Sequence, residues 1–336
     1  MRNRHLHTLY AALRGRLLAA PPLRRVRWDT PDGDFIDVDF MDGPAGPDAT
    51  TPLVVLFHGL EGGSRSHYAK AFAQAARSRG WRLAVPHFRG CSGEINRLPR
   101  AYHSGDSAEI DWVLARMRRD HARGHAGETG TLYAVGISLG GNALLKWLGE
   151  AGAAARTCVD AAAAVSAPLD LLISGDALGI GFNMLYTRMF LATLKKKGEA
   201  KIAMHPGTFD AAAMRRSRTL REFDNAVTAP LHGFRDTDDY WTRASARPLL
   251  AGIAVPTLIL NALDDPFVPP AALPDRALLP ACVTAEYPPV GGHAAFVSGP
   301  FPGTIDWLPT RVFAHFARAP APPLSVRSVR SVRSAT

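Results

Sequence analysis

One stretch of the chain sets a hydroxyl into a cramped corner. In Val135-Gly136-Ile137-Ser138-Leu139-Gly140 a single serine has glycine two residues before it and two after. The apolar run "TLYAV" precedes it and the helical pattern "GNALLKWL" follows. Gly-x-Ser-x-Gly between a strand and a helix predicts a turn so tight that side chains at the flanking positions would clash. Such a turn pushes the serine oxygen out at a helix start, where orphan backbone amides favour a developing negative charge. The chemistry this suits is attack by Ser138 on a carbonyl carbon.

A serine hydroxyl is a weak nucleophile and needs a base, itself oriented by an acid. His293 is the candidate base: it follows the apolar run "CVTAEYPPV" and the pair Gly291-Gly292, a setting for a tight loop that projects an imidazole over a sheet edge. The acid is expected after "TLILNA", where Asp264 and Asp265 are adjacent in "LDDPFVP". Asp265 is the choice, for the Pro-Phe-Val-Pro turn after it, and Asp264 is the alternative. An oxyanion would be held by the backbone amides of Leu60, in the loop after the strand "PLVVLF", and Leu139. The glycine-rich loop after His58 matches neither phosphate-binding fingerprint, which argues against a nucleotide. His58 reads as a structural hydrogen bonder and Cys91 as packing.

Positioning these residues takes a sheet with helices on both faces. "PLVVLF", "WRLAVP", "TLYAVG", "CVDAAAAVSAP", "VPTLILNA" and "CVTAEYPPV" read as short buried strands. "HYAKAFAQAARSRG", "DSAEIDWVLARMRR", "LGGNALLKWLGEAG" and "TIDWLPTRVFAHFAR" read as helices between or after them. Such alternation predicts an α/β fold with a mostly parallel sheet. "RVRWDTPDGDFIDVDF" alternates around Pro31-Asp32-Gly33 like a β-hairpin. Residues 169–250 hold helical patterns but no convincing strand, and are expected to form a helical cap inserted between late strands. The core is then 29–168 with 251–318, preceded by a basic N-terminal helical segment, 1–28, and followed by a disordered basic tail, 319–336. In the first segment Leu6, Leu9, Tyr10, Leu13 and Leu17 fall at helical spacing, an amphipathic helix laid against the domain.

The net charge of +9 invites a nucleic-acid reading until it is located. Seven arginines lie in residues 1–28, with no acid, and Arg327, Arg330 and Arg333 lie in the tail; the remaining 29 basic residues face 30 acidic ones. A nucleic-acid groove on the folded body is therefore not expected, while a weak peripheral membrane contact through the basic termini is compatible with the pattern. Three widely spaced cysteines predict neither a disulfide framework nor a metal cluster. With no signal-peptide h-region and no run of the ~18–20 apolar residues a membrane span needs, the expected compartment is the cytoplasm.

In order along the chain, "TPDGDFIDVDF", "HGLEGGSRSHY", "HFRGCSGEINR", "YHSGD", "GISLGGN", "FDNAVTAPLHGF", "DDPF" and "GGHAAF" resemble the YheT-like branch of the α/β-hydrolases. The start "RNRHLHTLY" departs from that branch's pattern, with Arg4 in place of proline and His7 in place of glutamine. The resemblance implies a serine hydrolase for carboxylic esters, with Ser138, Asp265 and His293 in the triad positions and no metal or cofactor. It also implies short- to medium-chain acyl esters or related lipids as substrates. Acyl transfer to an alcohol by the same triad is the first alternative, and a catalytically silent binding protein on the same fold is the second.

Overall fold

The computed structural model describes residues 4–43, 51–122 and 130–319; the tail expected from 319 onward therefore lies almost wholly outside the described residues. Eight strands form one sheet: β1 (Arg24–Asp29), β2 (Phe35–Met41), β3 (Leu53–Phe57), β4 (Arg82–Pro86), β5 (Leu132–Ile137), β6 (Ala161–Val165), β7 (Thr257–Leu260) and β8 (Val283–Glu286). Their order is β1-β2-β4-β3-β5-β6-β7-β8. β1, β2 and β4 pair antiparallel, and every other neighbouring pair is parallel.

Alternation along each strand divides the apolar side chains between two layers. Val55, Phe57, Ala134 and Ile259 meet α3 (Ser107–Ala122) and α4 (Leu139–Ala151) through Ile110, Leu114, Leu144 and Leu148. Val54, Leu56, Val135 and Leu258 meet α2 (His67–Ser78) and the C-terminal helix Trp307–Phe316 through Phe72, Phe313 and Phe316. Burial on both faces is what makes the central strands near-continuous apolar runs.

The hairpin also places charge. Residues 24–28, grouped by sequence with the N-terminal helical segment, belong to β1. Their arginines are cross-strand partners of acids: Arg25 lies opposite Asp39 and Arg27 opposite Asp37, with ion pairs of 2.7 and 2.8 Å. Part of the terminal basicity is thus neutralised inside the ladder.

Between β6 and β7 the chain leaves the sheet for α5 (Leu171–Leu178), α6 (Asn183–Met204), α7 (Ala211–Arg216), α8 (Leu220–Phe223), α9 (Ala229–Leu231) and α10 (Thr237–Ala244). These form the helical cap; the C-terminal helix after it is α11. Asp170, Asp210, Thr219 and Asp236 each accept a backbone N–H from the first turn of the helix that follows, so four of the cap helices start on a side-chain cap.

The N-terminal helix α1 (Arg4–Leu17) lies against the domain, but of its leucines only Leu9 packs inward, beside Tyr186 and Phe267. His7, Ala11 and Gly15 are buried, whereas Leu6, Leu13 and Leu17 are exposed. The small residues let α1 approach α2, whose Lys70 ammonium donates to the carbonyls of Gly15 and Leu18 at 3.1 and 3.2 Å and so caps the end of α1.

Candidate active site

Ser138 sits at the junction of β5 and α4 with φ +53° and ψ −120°, a left-handed conformation that a residue with a side chain adopts only under constraint. The constraint is visible at both neighbours. A Cβ on Gly136 would lie 2.4 Å from the Gly140 carbonyl oxygen, and one on Gly140 would lie 2.6 Å from the carbonyl oxygens of Phe57 and His58. The turn is therefore wedged between β5 and β3, and its serine is anchored by donation from Ser138 N to the Val165 carbonyl at 2.8 Å.

His293 arrives from the loop after β8. Its Nε2 is 2.9 Å from Ser138 Oγ, and its Nδ1 is 2.9 and 3.1 Å from the two carboxylate oxygens of Asp265. With Nδ1–H donating to the carboxylate, Nε2 is left as the acceptor for the serine hydroxyl. Asp265 is buried, and its Oδ1 also accepts from the amides of Phe267 and Val268. Asp264 turns the other way and accepts from the amides of Gly291 and Gly292 at 2.8 and 2.9 Å, which fixes the glycine pair that carries His293. The structure thus brings Ser138, His293 and Asp265 into one hydrogen-bonded line, with Asp264 outside it.

Leu60 and Leu139 both border the cavity beside Ser138. In the loop after β3 the amides of Gly59, Glu61 and Gly62 are engaged, by the Tyr68 hydroxyl, the Tyr102 hydroxyl and the Gly59 carbonyl. Among the described residues neither the Leu60 amide nor the Leu139 amide donates to a protein acceptor. Two such donors beside a serine are able to hold a negatively charged oxygen.

His58 is excluded as a second base. Its Nε2 accepts from Phe88 N at 3.1 Å and its Nδ1 lies 2.8 Å from the Gly59 carbonyl; burial pulls its pKa down to about 3. Burial likewise pushes the Cys91 thiol up to about 11, which leaves too little thiolate for a nucleophile.

Several residues at the site were not singled out from the sequence. Thr8 of α1 accepts from the His293 amide at 3.0 Å, and Ser166 Oγ accepts from Ala294 N at 2.9 Å. Lys197 of α6 reaches down to Glu61 Oε1 at 2.7 Å and to Cys91 Sγ at 3.2 Å, tying the cap to the loop that bears Leu60. Asn142 donates to the Ser104 and Ala244 carbonyls and accepts from Ala246 N. A polar side chain placed directly before the run Ala143-Leu144-Leu145 at the start of a helix is the available signal for Asn142. Nothing local marks Thr8 or Lys197, whose partners are far away in sequence.

The cavity over Ser138 and His293 holds about 150 Å³. Its walls come from the core (Leu60, Phe267) and from the cap (Leu171, Leu178, Phe190, Leu194). Asp224, in a single π-helical turn (Asp224–Thr228), lines it as well. No group of His, Cys, Asp or Glu among the described residues is arranged to hold a metal ion, and no helix among them is long and apolar enough to cross a membrane.

A mostly parallel sheet with a serine wedged on the turn after its central strand, and a helical cap above, is the architecture of one class of enzyme scaffold. The match to the α/β-hydrolase fold model extends over residues 52–300, and the chain belongs to that family. Within it the relatives are those of the YheT-like branch. The chain is 40% identical over 312 residues to "Putative esterase YheT" of Escherichia coli, covering 92% of this chain and 89% of that one. It is 30% identical over 316 residues to "Phospholipase ABHD3" of Mus musculus, covering 91% and 74%. Among solved structures, Est1E from Butyrivibrio proteoclasticus with ferulic acid bound superposes with a TM-score of 0.55 over 88% of this chain and 98% of that one; at 14% identity the likeness is one of fold.

Proposed function

We propose that the protein is a serine hydrolase of carboxylic esters working through an acyl-enzyme, with residues 169–250 as the cap over a core of 29–168 and 251–318. The observation that carries this reading is the line Ser138 Oγ to His293 Nε2 to Asp265, at 2.9 Å for both links. His293 takes the serine proton as Oγ attacks the ester carbonyl, and the Leu60 and Leu139 amides hold the oxyanion. The carbonyl re-forms, the alcohol leaves with the proton from His293, and water activated by the same imidazole releases the acid. Asp265 keeps Nδ1 protonated throughout. The names of the relatives, an esterase and a phospholipase, support ester chemistry.

The cavity supports a short acyl group. A space of about 150 Å³ matches a guest of roughly six heavy atoms, the size of benzene. Longer chains then require the cap to give way. The test is labelling by a fluorophosphonate on the wild type and on Ser138→Ala, with p-nitrophenyl esters of graded acyl length alongside. The reading expects label and turnover in the wild type, both lost in the variant, and turnover that peaks at short chains. Label surviving in Ser138→Ala, or none on folded wild type, overturns it; rates indifferent to acyl length overturn the substrate assignment.

A further inference from the structure

We propose that the outer face of α1, with the tip of the cap beside it, is a docking surface for an anionic lipid bilayer. An amphipathic helix on a globular domain normally turns its leucines inward. Here three of the four leucines of α1 do the reverse: Leu6, Leu13 and Leu17, spaced seven and four residues apart on one stripe, are 51%, 55% and 75% exposed, while Leu9 packs inward. The inward stripe is His7, Ala11 and Gly15. So much apolar area left exposed on one stripe of a helix needs another explanation.

The apolar surface does not stop at α1. The His5 ring lies 4.4 Å from the ring of Phe182, and from there the surface continues along α6. Phe182, Leu185 and Met189 recur at helical spacing, 53%, 44% and 60% exposed, with Ile180 before them at 68%. On the other side the Tyr10 hydroxyl donates to the Pro302 carbonyl at 2.8 Å, beside Phe301, which is 88% exposed. Single exposed apolar residues are ordinary; a run across three chain segments marks a surface that meets something apolar.

Charge selects the occupant. Residues 4–17, 179–190 and 297–305 contain no aspartate or glutamate, while Arg4 and Arg188 stand exposed at the edge of the patch. A second copy docked face to face would bring like charges together. A bilayer with anionic headgroups takes the leucines into its acyl boundary and the guanidinium groups at its surface. The inner side of the same helix carries Thr8, hydrogen-bonded to the His293 amide, so docking would seat the candidate site one helix away from a store of acyl esters. The surface is defined by exposure and charge alone and does not depend on the hydrolase reading.

The test is flotation of the full-length protein with vesicles of equal parts phosphatidylglycerol and phosphatidylcholine, at about 0.1 M salt. Wild type is expected in the floated fraction, with loss of flotation for the triple variant Leu6→Glu, Leu13→Glu, Leu17→Glu, and for Phe182→Glu with Met189→Glu. Thermal melts separate loss of binding from loss of fold, and the two variants lie on different helices, so failure of one to fold leaves the other as the test. Wild type that stays at the bottom of the gradient overturns the proposal. So does flotation undiminished in both variants, or equal flotation with phosphatidylcholine alone. A dimer that the substitutions dissolve, in a protein that never floats, assigns the face to a second copy instead.

Discussion

Two adjacent aspartates with the same chemistry have different work because of which way each faces. Asp265 accepts from His293 Nδ1, whereas Asp264 accepts from the amides of Gly291 and Gly292. Replacing Asp265 with asparagine puts a possible donor against Nδ1–H and favours the wrong tautomer, so kcat on a soluble ester is expected to fall about 10⁴-fold. Asp264→Asn keeps an acceptor oxygen for the two amides and is expected to stay within about tenfold of wild type, since only loop placement is at stake. Equal losses in the two variants would assign the acid wrongly. The sequence displayed the serine, the histidine and the aspartate pair, because a glycine-bounded serine and a Gly-Gly-His loop are local patterns. It could not choose between Asp264 and Asp265 on geometry, because side-chain direction in that turn is set by the amides of Phe267 and Val268 on one side and of the glycine pair on the other.

At the scale of elements, α1 shows what hydropathy leaves open. Periodicity revealed the helix, but leucines at helical spacing say nothing about which stripe a neighbour accepts, and here close approach to α2 selected the small residues. A Cβ added at Gly15 would lie 2.1 Å from His67 Cβ. Alanine improves helix propensity by about 1 kcal/mol, but overpacking against a near-backbone atom costs about 1–3 kcal/mol and should win. Gly15→Ala is therefore expected to lower the Tm, and also kcat, because lifting α1 draws Thr8 away from the His293 amide. A variant that melts at or above the wild-type temperature would show that α1 is not clamped there.

The π-helical turn in the cap carries a second element-scale consequence. Asp224 accepts from Trp241 Nε1 at 2.9 Å and from the Thr228 hydroxyl at 2.6 Å, and burial raises its pKa to about 6. In the unfolded chain it titrates near 3.9. Because the folded value is the higher one, its contribution is fully present below about pH 4 and is lost as pH rises through about 6. Above that the fold holds a carboxylate at a relative cost of roughly 3 kcal/mol. Asparagine can keep both contacts, accepting from Trp241 and donating to Thr228. Denaturant melts of Asp224→Asn should then match wild type near pH 4, exceed it progressively as pH rises through about 6, and hold a constant advantage from there to pH 8. A difference that does not vary with pH would mean Asp224 is not the titrating group.

The molecule as a whole divides its labour between a sheet readable from sequence and a cap readable there as helical patterns without strands, but not in how its helices dock. Parallel strands buried on both faces must be short apolar runs, so their number and order of appearance follow from composition. The cap helices pack on one another and on the sheet edge through contacts between distant segments, such as Lys197 with Glu61, and no local period encodes those. The cavity is a product of that docking: core residues supply the reacting groups and cap residues supply the far wall. Its size is therefore a property of neither part alone, and it can be altered without touching the reacting groups. Phe190 projects from α6 into the cavity lining, with its ring 6.2 Å from that of Phe267, which itself lies 4.2 Å from the ring of His293. Truncation to alanine removes a ring from the wall and leaves Ser138, His293 and Asp265 in place. A pocket wall discriminates by about 1–3 kcal/mol per methylene, so Phe190→Ala is expected to move the preferred p-nitrophenyl ester toward longer acyl chains, with kcat/KM rising about tenfold or more for the first chain that wild type excludes. The shortest ester should lose some affinity, having less wall to touch. A length profile that falls uniformly, with the same optimum, would show that the cap does not measure the acyl group.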